Sequence, residues 1–214
     1  MNWNLWAQWV LATMFGASLG WAAGLYAVVA VPGPFNSNII WLVAGVCLGV
    51  AQWLVIRTHL RRAWQWVLAA VVGWLVAFNF GSLVFGIMTD VLNGPGLPLF
   101  ESALAVNATL SGMAVLFVVW LLIGAAGGTV VGGMQWFVLR QYFPGAAWWV
   151  AANALGWGVG LGVSWFAVLV LLYFFAQAFA NLAPGLAVGA PLAFVGGALS
   201  GAVTGYALIR ILKQ

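Results

Sequence analysis

The sequence predicts an all-α fold: a polytopic membrane helix bundle of six transmembrane helices arranged as three parallel-repeat hairpins. Three observations predict it. First, 66% of the 214 residues are hydrophobic and 4% are charged. That balance lies far outside the composition of soluble domains, so lipid must solvate most of the surface. Second, all six Lys and Arg residues (Arg57, Arg61, Arg62, Arg140, Arg210 and Lys213) fall at alternate ends of the apolar runs, whereas both acids, Asp90 and Glu101, share one loop on the opposite side. Third, the stretch Gln52-Trp53-Leu54-Val55-Ile56-Arg57 returns as Gln135-Trp136-Phe137-Val138-Leu139-Arg140 and, more weakly, as Gly205-Tyr206-Ala207-Leu208-Ile209-Arg210. An aromatic residue and then an arginine at the close of an apolar run is how a transmembrane helix meets the cytoplasmic surface.

Taken in order, span 1 covers residues 5–31 and stops at Pro32-Gly33-Pro34, a strong breaker. The N-terminus Met1-Asn2-Trp3-Asn4 lacks the positive region of a signal peptide and the run after it is too long for one, so it is read as a retained span. Span 2 covers 38–57, and the short link Thr58-His59-Leu60-Arg61-Arg62 makes a tight antiparallel connection to span 3 at 63–88. A loop with Asp90, Asn93-Gly94-Pro95-Gly96, Pro98 and Glu101 follows. Spans 4 and 5, at 108–140 and 146–179, are joined by residues 141–145. Each is long enough to extend about 45–50 Å as a helix, so each must tilt, break or project beyond the bilayer. Residues 181–191 form the last loop and span 6 covers 192–212. The whole is one transmembrane domain, residues 1–214. By the positive-inside rule both termini are cytoplasmic, and the expected location is a bacterial inner membrane. Nine tryptophans (Trp3, Trp6, Trp9, Trp53, Trp64, Trp66, Trp136, Trp148 and Trp149) lie near that interface and read as an aromatic belt.

The outgoing spans repeat as well. Gln8-Trp9-Val10-Leu11-Ala12 precedes Gly16 as Gln65-Trp66-Val67-Leu68-Ala69 precedes Gly73, and Trp149-Val150-Ala151-Ala152 precedes Gly156. Repeat units 1–57, 63–140 and 146–210 result, related by an axis along the membrane normal. Small residues recur every fourth position: Gly16, Gly20 and Gly24 in span 1; Gly73, Ala77 and Gly81 in span 3; Gly156, Gly160 and Ser164 in span 5. The returning spans carry Gly45/Gly49, Gly128/Gly132 and Gly197/Gly201/Gly205. Such faces let backbones approach closely where lipid removes the hydrophobic drive, so helix packing is their expected role.

The pattern Gly-x-x-x-Gly-x-x-Gln-Trp-x-x-x-Arg, a short link, then Ala-x-x-Trp-Val and Gly-Trp is present twice. The first copy is Gly45, Gly49, Gln52, Trp53, Arg57, Ala63, Trp66, Val67, Gly73 and Trp74. The second is Gly128, Gly132, Gln135, Trp136, Arg140, Ala146, Trp149, Val150, Gly156 and Trp157. It resembles uncharacterised multi-pass bacterial membrane proteins. The resemblance covers the two central junctions and implies no activity and no catalytic residues.

The side-chain inventory then bounds the chemistry. His59 is the only histidine and lies in a link beside arginines, which removes bis-histidine, zinc-triad and Ser-His arrangements within the membrane. Cys47, the only cysteine, falls mid-span and permits no internal disulfide. No carboxylate or lysine lies inside a predicted span, so ion coupling lacks its usual marker. Paired acids for general acid–base work are missing too. The net charge of +4 has no basic stripe with interleaved aromatics, so nucleic acid is not an expected partner. No metal, no cofactor and no enzymatic activity are expected.

Neutral polar residues remain. Gln52 and Gln135 sit about one and a half turns inside their arginines, Asn79 lies in Phe78-Asn79-Phe80-Gly81, and Asn153 lies in span 5. Helix-to-helix hydrogen bonding is their expected role, and lining a ligand pocket is the alternative. The leading expectation for function is a non-catalytic integral membrane protein, an accessory or scaffold subunit that meets the lipid bilayer and another membrane protein. The runner-up is a transporter or substrate-capture subunit for a neutral or lipid-like molecule, with Asn79 and Asn153 facing the pocket.

Overall fold

The computed structural model describes residues 2–30, 36–92, 110–179 and 184–213. They form six helices: α1 (Trp3–Ala30), α2 (Asn36–Ile56), α3 (Trp64–Leu92), α4 (Leu110–Leu139), α5 (Trp148–Phe179) and α6 (Pro184–Ile211). Each is long and apolar enough to cross a membrane, and no strand occurs among the described residues. Continuous apolar runs of this length span lipid as helices, because every backbone N–H and C=O then bonds within its own segment.

Local chemistry sets several ends. Asn2 Oδ1 accepts a bond from the Leu5 backbone N–H at 3.2 Å, so α1 begins at Trp3, ahead of the apolar run. α3 continues past Met88 to Leu92, which places Asp90 in the helix rather than in a loop. The segment expected as a loop at 181–191 is helical from Pro184, whose missing N–H costs nothing at a first helical position. Pro191 lies within this helix. α4 and α5 are unbroken at 30 and 32 residues. The turn Pro32-Gly33-Pro34 and the stretch from Asn93 to Glu101 lie outside the described residues.

Each helix packs on the helices before and after it in the chain, and α6 packs on α1, so the six close into a ring. Glycines make the seams. A Cβ added at Gly16, Gly20 or Gly24 would lie 2.9, 2.7 or 2.9 Å from the Cα of Leu48, Ala44 or Ile40, so α1 sits directly against the α2 backbone. Gly73 faces Val131 of α4, while Gly156 and Gly160 face Ser200 and Gly196 of α6. Glycines of the even-numbered helices likewise face the next helix in the ring: Gly45 and Gly49 toward Val71, Ala70 and Val67 of α3, Gly128 and Gly132 toward Asn153 and Val150 of α5, and Gly197 and Gly201 toward Met14, Thr13 and Val10 of α1. Gly81 stands apart, with its nearest neighbour at 3.6 Å.

Tryptophans fill the middle of the ring. Trp9, Trp66 and Trp149 meet at one end, and Trp74 of α3 meets Trp157 of α5 edge-on at 4.7 Å farther in. Neither trio nor pair is possible unless these side chains project inward, since α3 and α5 are not neighbours in the ring. Every described Lys and Arg lies at the end that holds the trio, where α1, α3 and α5 begin and α2, α4 and α6 finish.

Candidate functional site

The most organised part of the molecule is this charged end. Trp9, Trp66 and Trp149 lie in the first two turns of α1, α3 and α5, and each is 0% exposed. Their rings make a closed triangle with centroids 5.8, 5.7 and 5.4 Å apart and planes at 78°, 77° and 66°. Edge-to-face contact sets the positive rim of one ring against the negative face of the next, and here all three pairs adopt it. The belt reading is therefore corrected for these three. They point into the bundle because the face that carries them also carries the inward small residues, whereas Trp3, Trp64 and Trp148 are exposed.

A buried indole N–H needs an acceptor. Trp66 Nε1 donates to Gln52 Oε1 at 3.0 Å and Trp149 Nε1 to Gln135 Oε1 at 2.9 Å. An indole nitrogen can only donate, so both glutamine carbonyl oxygens must face the tryptophans and both amide NH₂ groups must point away. Gln52 Nε2 then reaches Thr13 Oγ1 at 3.1 Å, and Gln135 Nε2 reaches Gln52 Oε1 at 3.3 Å. Trp9 Nε1 donates to Thr204 Oγ1 at 3.0 Å, and the Thr204 hydroxyl donates to the Ser200 carbonyl at 2.7 Å. Gly205 stands where the first two motif copies have glutamine. A Cβ there would meet Trp9 Cδ1 at 3.0 Å and Trp6 Cδ1 at 3.1 Å, so the two α1 indoles occupy the space and the neighbouring threonine takes the N–H.

The junctions cover the trio. Arg57, His59, Leu60 and Trp66 donate backbone bonds to Trp53, Ile56, Ile56 and Ala63, and the same four bonds recur 83 residues on, from Arg140, Tyr142, Phe143 and Trp149 to Trp136, Leu139, Leu139 and Ala146. These turns press Leu60, Ala63 and Ala146 onto the trio together with Ile56, Leu139 and Leu208. Outside this cover, Arg57 lies 5.6 Å from the Trp53 ring, Arg140 lies 5.0 Å from Trp136 and Arg210 lies 5.2 Å from Tyr206. Two surface pockets open here: one of about 350 Å³ lined by Arg61, Arg62, Gln141 and Tyr142, and one of about 210 Å³ lined by Tyr206, Ile209, Arg210 and Lys213.

Of the residues singled out as pocket-lining, the structure brings Gln52 and Gln135 together and separates the others. Asn153 is buried between α4 and α5, where its Nδ2 donates to the Trp149 carbonyl at 3.0 Å. Asn79 is exposed on the outside of the ring, where its Nδ2 donates to the Leu75 carbonyl at 2.8 Å and to Asn38 Oδ1 at 3.2 Å. An Asn79→Leu variant should stay folded and lose about 0.6–1 kcal/mol, the size of one interhelical bond in a membrane. Denaturation in detergent measures it, and a loss of several kcal/mol would mean the pair carries more than that bond.

The linear pattern does not single out Thr13 and Thr204, and the belt reading fails only for Trp9, Trp66 and Trp149, the buried tryptophans of that set. The available signal was spacing: each glutamine precedes its tryptophan by 14 residues. Among the described residues no group of three His, Cys, Asp or Glu side chains is placed to hold a metal ion. His59 Nδ1 sits 3.0 Å from Thr58 Oγ1 on the exposed link. Among the described residues four buried polar atoms, Gln65 Oε1, Trp74 Nε1, Ser164 Oγ and Ser200 Oγ, have no hydrogen-bond partner. No protein-family model, no curated protein and no solved structure matches the chain.

Proposed function

We propose that the chain is a non-catalytic integral membrane protein that serves as an accessory or scaffold subunit of a larger membrane assembly, in a bacterial inner membrane and with cytoplasmic termini. The observation that carries this reading is the filled interior at and just behind the charged end. Trp9, Trp66 and Trp149 close the charged end, their N–H groups are taken up by Gln52, Gln135 and Thr204, and Trp74 and Trp157 occupy the space behind them. A ring whose charged end is closed by a trio bonded to Gln52, Gln135 and Thr204 offers its function on the outside. Long apolar faces are available there, including Leu11, Phe15 and Leu19 on α1 and Leu68, Val72 and Val76 on α3. We further read the architecture as three hairpins of one ancestral design, supported by the junction bonds that recur 83 residues apart and by the trio drawn from α1, α3 and α5.

Solubilised in mild detergent and examined by native mass spectrometry, the chain is expected to carry a second polypeptide at fixed stoichiometry. In a Cys47→Ala background, cysteines placed at the buried Ser164 and Ser200 should resist a water-soluble maleimide. A lone monomer whose Ser200→Cys thiol reacts rapidly would overturn the reading and leave a water-connected interior suited to small-molecule passage.

A further inference from the structure

The pocket between the two junctions differs in kind from the rest of the charged end. Arg57, Arg140 and Arg210 each lie over an aromatic ring on their own helix end. Among the described residues no carboxylate pairs with Arg61 or Arg62 and neither guanidinium lies over a ring, and both line the pocket of about 350 Å³ with Tyr142. Asp90 lies near the far end of α3, some 28 residues of chain from Arg62 and about 40 Å away at helical rise. The wall opposite comes from the second junction. The Tyr142 hydroxyl accepts a bond from the Arg62 backbone N–H at 3.2 Å, which holds the phenol at the rim with its own proton free to donate. Gln141 is steadied by its Nε2 bond to the Phe137 carbonyl at 2.9 Å. Two arginines and a phenol thus line one open surface site, and Arg forks match a phosphate geometrically as well as in charge.

The surroundings indicate which phosphate. The pocket sits where α3 and α5 enter the apolar zone, and Trp64 and Trp148, the first residues of those helices, are 57% and 76% exposed. Exposed indoles at a helix entrance mark headgroup depth, with acyl chains immediately beyond. Basic pockets between transmembrane helices on the side that holds the positive charge suit phosphorylated lipid headgroups.

We propose that Arg61, Arg62 and Tyr142 form a binding site for the phosphate of an anionic phospholipid, which bridges the two junctions. This site does not depend on the scaffold reading, because it lies outside the filled interior. The test uses the full chain in detergent with added phosphatidylglycerol or phosphatidylcholine and counts retained lipid by native mass spectrometry. Phosphatidylglycerol should be retained about tenfold or more over phosphatidylcholine. An Arg61→Ala/Arg62→Ala double variant should lose that preference, while Arg210→Ala/Lys213→Ala, which removes the same charge beside the smaller pocket, should keep it. Equal loss in both double variants would reduce the effect to net charge and overturn the site, as would no preference in the wild type. Displacement of the lipid by millimolar inorganic phosphate would show a site for soluble phosphate and overturn the lipid assignment. Arg61 and Arg62 are exposed, so the variant should match the wild type in gel filtration and in thermal unfolding without added lipid.

Discussion

Trp149→Ala should lower the stability of the purified protein by about 2–4 kcal/mol, whereas Trp148→Ala, one residue earlier, should change it by less than about 0.5 kcal/mol. The two residues share composition, helix and depth in the chain, but one is 0% exposed and the other 76%. Removing Trp149 deletes two of the three ring contacts of the trio and leaves a void where the backbones are already held apart by Trp9 and Trp66. The void term dominates this cost. The transfer term is small, because an indole released from the interior passes into lipid rather than water. The Gln135 carbonyl also loses its 2.9 Å donor at a fully buried position. Trp149→Phe should recover part of the loss by restoring a ring without the N–H. Unfolding of all three variants in a detergent–denaturant series gives the comparison. Equal effects of Trp148→Ala and Trp149→Ala would refute the inward trio.

Gly128→Val should be as severe for a different reason. A Cβ at this position would run into the Asn153 carbonyl oxygen of α5 and come within 3.0 Å of the Trp157 Cβ. Neither neighbour can move freely, since one is helix backbone and the other is the root of a side chain locked edge-on against Trp74. The seam must open along its length, at a cost of about 3 kcal/mol, the upper part of the usual range for overpacking. Gly133→Val, on the same helix, meets nothing within 4 Å. It should be neutral or slightly stabilising, because valine is a better helix former than glycine. Thermal unfolding and folded yield distinguish the pair, and a tolerated Gly128→Val would mean that α4 and α5 are not in backbone contact.

Much of the architecture was legible because lipid imposes strong rules on composition. The six apolar runs, the clustering of Arg57, Arg61, Arg62, Arg140, Arg210 and Lys213, and the every-fourth glycines each follow from one requirement of a bilayer. Ends were less legible where two cues competed. Pro184 reads as a loop residue until its place at a first helical position is known, and Asp90 reads as a loop residue although a charge at a helix end can reach water from within the helix. The candidate site was partly legible. Gln52 and Gln135 were singled out as an equivalent pair, but nothing in a linear pattern says that the carbonyl of one accepts from both Trp66 and the other glutamine. Asn79 looked central by depth and proved peripheral by direction, because position along a helix does not determine which face looks inward.

Composition and pattern suffice for a six-span, all-helical membrane protein with its cations at one end and small residues lining its helices, since long unbroken apolar runs satisfy their backbone in lipid as helices. Three-dimensional packing is needed to see that the ring closes through α6 onto α1, that Trp9, Trp66 and Trp149 face one another rather than lipid, and that Gln52, Gln135 and Thr204 receive their N–H groups. The physical reason is that an indole near a helix start is equally at home against headgroups or in a core. The choice rests on whether neighbouring helices approach closely enough to supply ring edges and acceptors, and that is a property of the assembled seams and not of any one span.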